Sequence, residues 1–177
     1  MRLFTIVINP RPHDDKKPAV LVRTPYGPTT SNLADIYLLD GFVAVLQDQR
    51  GAFLSTGQWD FWREDSQDAY DVMQWITEQK WSNGQVFTAG ISADGNSALT
   101  QPLFNPPPLR GQFIVWASAE AYDTAYQGGA YRQSLIEGWL TAIGILTRFH
   151  SLTVIGDVKD HESKDSYWNT LSLKDNE

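Results

Sequence analysis

The sequence predicts an α/β fold, a mostly parallel sheet flanked by helices, followed by the beginning of a helical segment. Short apolar runs recur at residues 19–22, 42–46 and 85–89, each bounded by turn-forming residues. A helical stripe of Ala69, Val72, Met73 and Ile76 lies between two of them. Past residue 119 the alternation gives way to a long amphipathic stretch with no new strand directly after it.

Taken in order, residues 3–8 are β-branched and aromatic, and Pro10, Arg11, Pro12 and the charged residues 14–17 interrupt them before residues 19–22 resume. Two strands joined by an exposed turn are expected. Ser31 is suited to cap a short helix with Leu33, Ile36 and Tyr37 on one face, ending near Gly41. A buried strand over 42–46 follows. After a loop rich in Gly and Ser, Asp65 or Ser66 starts the striped helix, with Asp65, Asp68 and Asp71 expected as helix-start and solvent-face residues. Asn83-Gly84 turns the chain into a strand over 85–89, and the small residues 93–98 let a helix begin at once. Residues 113–117 give one more buried strand. Gly128-Gly129 precedes the amphipathic stretch 131–149, which reads as a helical insertion. The tail 157–177 is charged and polar, with Tyr167, Trp168, Leu171 and Leu173 as its large apolar anchors.

Composition bounds the function. The chain has 177 residues, 42% of them hydrophobic, enough for one well-buried domain. A net charge of -7 and a pI near 4.8 repel a phosphate backbone, so nucleic acid is not an expected partner. The sequence has no run of about 18 apolar residues and no leader-like N-terminus, so no membrane span is expected, the chain reads as soluble, and the cytoplasm is favoured. The lack of cysteine removes disulfides, thiolate metal sites and a thiol nucleophile. The 12% aromatic content suits a large core or an aromatic pocket equally.

The chemistry centres on Ser92. A serine hydroxyl attacks a carbonyl only when the backbone holds it clear of competing hydrogen bonds and a base takes its proton. A sharp turn from strand to helix provides that exposure and requires small neighbours, here Gly90, Ala93 and Gly95. The N–H of Ala93, at the start of the helix, would face a developing oxyanion. The generic G-x-S-x-G elbow is matched only in part, because Asp94 stands where the second glycine belongs. Ser92 as a plain helix cap is the competing reading. Residues 90–97 also fall one residue short of a phosphate-binding loop, but Asn96 replaces the lysine that would neutralise the phosphates.

With these residues in place, the sequence resembles the Xaa-Pro dipeptidyl-peptidase and cocaine-esterase family of serine hydrolases. Residues 22–27 (VRTPYG), 41–51 (GFVAVLQDQRG) and 79–84 (QKWSNG) are similar to successive family segments, with Lys80 in place of a usual proline. The family elbow is commonly G-x-S-Y-x-G, which makes Gly95 expected and Ala93 the departure. The resemblance implies a partial α/β-hydrolase fold, residues 1–119 being the N-terminal part of the core and 120–177 the first part of an inserted helical cap that shapes the acyl pocket. It also implies that Ser92 is the nucleophile, that Tyr26 O–H joins Ala93 N–H in the oxyanion hole, and that the substrate is a small-molecule ester or an Xaa-Pro peptide. No cofactor or metal is implied.

Such a triad runs in the order serine, acid, histidine. The family places the last two on later strands, so the chain is expected to stop before the C-terminal half of its core and to be inactive alone. His13, His150 and His161 are expected as surface or cap histidines, and the acids Asp157, Asp160, Glu162 and Asp165 around His161 as a solvated face, their spacing matching no metal motif. The alternative is a non-catalytic α/β-hydrolase-like domain whose aromatic residues bind a ligand or partner.

Overall fold

The computed structural model describes residues 1–10, 15–27, 41–146 and 151–173. The helix expected over 31–41 therefore lies outside the described residues, as do His13 and His150. Five strands form one sheet: β1 (Thr5–Ile8), β2 (Lys17–Thr24), β3 (Val43–Asp48), β4 (Ser82–Ile91) and β5 (Leu109–Val115), in the spatial order β1-β3-β2-β4-β5. All neighbouring pairs are parallel except β1 and β3, which run antiparallel with Thr5 opposite Gln47 and Ile8 opposite Ala44.

The two N-terminal strands are thus not neighbours, contrary to the simplest reading of a turn between them. β3, apolar over Val43–Leu46, inserts between β1 and β2, where it is covered on both edges and buried along its length.

Alternation along the strands divides the core. Ala19 and Leu21 of β2, with Val43 and Val45 of β3, pack on α1 (Asp65–Thr77) through Ala69, Val72, Met73 and Ile76. Val20, Val22, Ala44, Leu46 and Ala89 form the other face, with Phe42 and Phe87 packed against them edge to face. Full burial of Met73 and Ile76 contributes about 1.5–3 kcal/mol each.

The acids of α1 depart from expectation. Asp71 is exposed, but Asp65 and Asp68 are buried with the wholly buried Arg23 of β2. Arg23 reaches Asp65 at 2.6 Å, Asp68 at 3.3 Å and Gln47 at 2.9 Å, and Arg50 binds Asp68 through a second fork at 2.7 and 2.8 Å. Two guanidinium groups therefore balance two carboxylates beneath the sheet's C-terminal edge. Paired in this way, the acids need no solvent, which is why a helix start conceals them.

β4 leads directly into α2 (Ala93–Thr100), and a 3-10 turn over Gln101–Phe104 leads to β5. β5 is an edge strand instead of a buried one: Phe113 and the following Trp116 are 61% and 84% exposed. Apolar content alone predicts burial, but no described strand covers the outer side.

After β5 come α3 (Ala121–Ala125), the two-stranded β6 (Tyr126–Gln127) and β7 (Ala130–Tyr131), α4 (Gln133–Leu146), α5 (Ser151–Asp160) and α6 (Ser166–Asn169). Gly128 and Gly129, at φ 62° and 83°, make the hairpin turn that side chains disfavour. The amphipathic stretch 131–149 holds α4, and α4 and the following α5 pack through Ile136, Leu140, Ile143, Val154 and Val158 into one aromatic cluster with Trp59, Phe61 and Trp62. Phe61 and Trp62 hold positive φ values of 59° and 68°, a strained conformation retained by the packing of both rings. Tyr167, Trp168 and Leu171 anchor the tail in this cluster. Buried Glu120 closes it, accepting from Ser172 at 2.7 Å and pairing with Lys164 at 2.7 Å. Among the described residues no helix is long and apolar enough to cross a membrane.

Candidate active site

Ser92 stands between the last residue of β4 and the first of α2 at φ 59°, ψ -118°. L-residues occupy that region only when the surroundings enforce it. A cap would turn its hydroxyl onto the helix amides, yet Ser92 makes no side-chain cap bond, and it is exposed. Its backbone is instead pinned on both sides, its N–H donating to Val115 O at 2.9 Å and its carbonyl accepting from Asn96 N at 2.9 Å.

The glycines on either side enable this bend by close approach. A Cβ on Gly90 would lie 2.1 Å from Asp94 O, and one on Gly95 would lie 3.0 Å from Val115 O and 3.1 Å from Ala117 Cβ. The glycine three places after Ser92 is therefore where α2 touches β5. Asp94, with no such contact to avoid, tolerates a side chain.

Ala93 opens α2, so its N–H has no acceptor within the helix, and it lines the same pocket as Ser92. The loop after β2 brings in Tyr26, held by its N–H to Thr24 Oγ1 at 3.1 Å. Its phenol accepts from Trp139 Nε1 at 2.9 Å and lies beside the Ser92 side chain. Burial raises the phenol above its ordinary pKa, Asp94 adding to the shift, so it remains a proton donor through the neutral range. The three residues singled out from sequence thus meet at one place.

The pocket in front of Ser92 has a volume of about 340 Å³. Trp62, Trp116, Ile136 and Trp139 supply apolar walls, while Asp123 and Arg132 supply charge. No composition or spacing singled these out individually, because they come from the aromatic loop, from just after β5 and from the segment spanning α3 and α4, separated along the chain from the serine. Asp94 was missed as well: burial pushes its carboxyl up to about 7, against a hydrogen bond from Thr24 and with help from Asp65. One of its oxygens is buried without a partner. Asp65, pushed up to about 6 by burial despite Arg23 and Ser97, remains ionised at neutral pH. It accepts from Ser97 of α2, so the buried ion network underpins the helix that carries the elbow.

His161 is not at this site. Its Nδ1 lies 2.7 Å from Asp165, and its ring stacks on Tyr167. Asp165 also caps α6 by accepting from Tyr167 N at 2.9 Å, which accounts for part of the acidic tail. Among the described residues no group of three or more His, Cys, Asp or Glu could hold a metal ion.

A mostly parallel sheet, a strained serine at a strand-to-helix bend and a pocket opening onto it define an α/β-hydrolase-like protein. Residues 1–154 match the X-Pro dipeptidyl-peptidase (S15 family), and the chain belongs to that family. It is 32% identical over 140 residues to a cocaine esterase from Rhodococcus sp., covering 74% of this chain and 24% of that protein. The chain thus spans about a quarter of the length of this curated relative. The fold is shared with a CocE/NonD family hydrolase from Staphylococcus aureus, with a TM-score of 0.84 and 21% identity over 97% of this chain and 35% of that one. It is shared also with an aminopeptidase from a Thaumarchaeota archaeon, with a TM-score of 0.73 and 22% identity over 96% of this chain and 37% of that one.

Proposed function

We propose that this chain carries the nucleophile and oxyanion hole of a serine hydrolase that cleaves esters or Xaa-Pro peptides through an acyl-enzyme. Residues 1–119 are the core portion in this reading, and residues 120–177 are the first part of a cap that walls the acyl pocket. Ser92 Oγ bonds to the substrate carbonyl carbon as its proton passes to a general base, and the carbonyl oxygen takes up the negative charge. Ala93 N–H and Tyr26 O–H stabilise that oxygen. Collapse of the intermediate expels the alcohol or amine with a proton, and water later releases the acid. Two such donors lower the barrier by several kcal/mol, since loss of one costs about 10²–10³ in rate.

The observation that carries the proposal is the Ser92 backbone at φ 59° with its hydroxyl uncommitted to the helix and facing the pocket. Among the described residues the partner of that hydroxyl is Tyr26 and not an imidazole. The experiment is labelling of the folded chain with a fluorophosphonate probe, the modified residue being located by mass spectrometry. Labelling at Ser92 that disappears in Ser92→Ala supports the proposal. A folded chain left unlabelled refutes it for this polypeptide and favours a domain that binds without catalysis.

A further inference from the structure

Tyr26 and Trp139 are joined across 113 residues of sequence by one hydrogen bond, the indole N–H donating to the phenol oxygen at 2.9 Å. Trp139 sits in α4 and is held rigidly from behind. It stacks on Trp62 with ring centroids 5.6 Å apart and planes 17° apart, and it meets Trp59 edge-on at 5.8 Å. Trp59 is itself buried, with its indole N–H fixed to Gln49 at 2.7 Å. The donor on Tyr26 is therefore the end of a braced column, not a mobile side chain.

An indole nitrogen only donates, so it engages an oxygen lone pair and does not use the phenolic proton. That proton prefers the plane of the ring, where it has two orientations, one on each side of the oxygen. An N–H on one side excludes the proton from that side. Ser92 is the other polar side chain beside the phenol. A donor to the phenol oxygen also polarises its O–H and strengthens the bond that O–H gives.

We propose that Trp139 is a positioning residue: its indole N–H aims the Tyr26 phenolic proton at the oxyanion above Ser92, so that the helical segment 121–171 sets the competence of a donor carried by the core. This rests on the hydrolase reading for the role of Tyr26. Stacking on Trp62 needs only an aromatic ring at position 139, whereas aiming the phenol needs the N–H, and the two are separable by substitution.

The first measurement uses the 15N-labelled chain and does not depend on catalysis. The Trp139 indole signal is assigned by its loss in Trp139→Phe, and Tyr26→Phe is expected to shift it and to speed its exchange with solvent at least tenfold. An indole signal unmoved by Tyr26→Phe overturns the proposal, and this test stands even if Trp139→Phe fails to fold, the signal then being assigned through its contacts to the rings of Trp59 and Trp62. The second measurement is the rate of fluorophosphonate labelling at Ser92. Trp139→Phe, which keeps the stack, is expected to slow it about tenfold, and to slow it less than twofold when Tyr26 is already Phe. Independent, multiplicative effects overturn the coupling while leaving the serine chemistry intact. A Tyr26-dependent indole signal in a chain that never labels overturns the catalytic role of both residues, and with it the function proposed above.

Discussion

Replacing Gly90 by alanine tests whether the elbow depends on the close approach of β4 to α2. The added Cβ would lie 2.1 Å from Asp94 O, 2.2 Å from Asp94 C and 2.6 Å from Gly95 N. All three are backbone atoms, so no side chain can rotate away, and relief requires the first turn of α2 to withdraw by about 1 Å, the shortfall from ordinary van der Waals separation. Withdrawal strains the Asn96 N to Ser92 O bond and pulls Gly95 from its contact with Val115. Overpacking of this kind costs about 1–3 kcal/mol. For a chain of this length that lowers Tm by about 5–10 °C. Thermal unfolding followed by circular dichroism measures the loss, and Ser92 labelling reports whether the bend survives. Gly138→Ala is the control, because that exposed position in α4 has open space where a Cβ would go. There the substitution is expected to stabilise by about 0.5–1 kcal/mol. A folded Gly90→Ala chain with Tm within about 2 °C of the parent refutes the reasoning.

Arg23→Met leaves Asp65 and Asp68 buried beside a single remaining guanidinium, and unfolding in urea is expected to show a loss of about 3–5 kcal/mol. A loss below about 1 kcal/mol would mean the carboxylates are not held by that arginine. Asp94 is raised by burial from 3.8 to about 7, so the folded state binds more protons than the unfolded chain across that interval, and its ionisation removes stability as pH rises from about 4 through 7. Asp94→Asn is therefore expected to gain on the parent between pH 5 and pH 8 in paired urea titrations, by an amount on the order of a few kcal/mol at most, and equal midpoints at both values would contradict it. Ser92→Ala is expected to change unfolding free energy by less than about 0.5 kcal/mol, against about 1 kcal/mol for removing a working cap, because the hydroxyl makes no bond to the helix.

What the sequence disclosed was local. Short apolar runs and a helical apolar stripe exposed β2, β3, β4 and α1, and the clustering of small residues exposed the bend at Ser92, since each depends on neighbours within one turn or strand. Pairing was out of reach: β1 joins β3, not β2, through a register set forty residues away, and nothing near Thr5 reports Gln47. Burial of Asp65 and Asp68 was hidden for a related reason. Acids in a first helical turn are ordinarily solvated, and these are made interior by Arg23, 42 residues upstream of Asp65, and by Arg50, 18 residues upstream of Asp68. The exposure of β5 shows the converse, an apolar run whose position at the sheet edge overrides its composition. At the site, Ser92 and Ala93 were singled out from spacing and Tyr26 through a resemblance, while Trp139 was reached only as part of a segment similar to the family's cap, and its bond to Tyr26 was not.

The pairing of Glu120 with Ser172 brings the two ends of the helical segment together at one spot after β5. Whatever is threaded between those two residues leaves the path of the strands unchanged, so helices there can lengthen, shorten or be exchanged without rebuilding the scaffold. Specificity can then diversify at that junction while the strained serine below stays as it is.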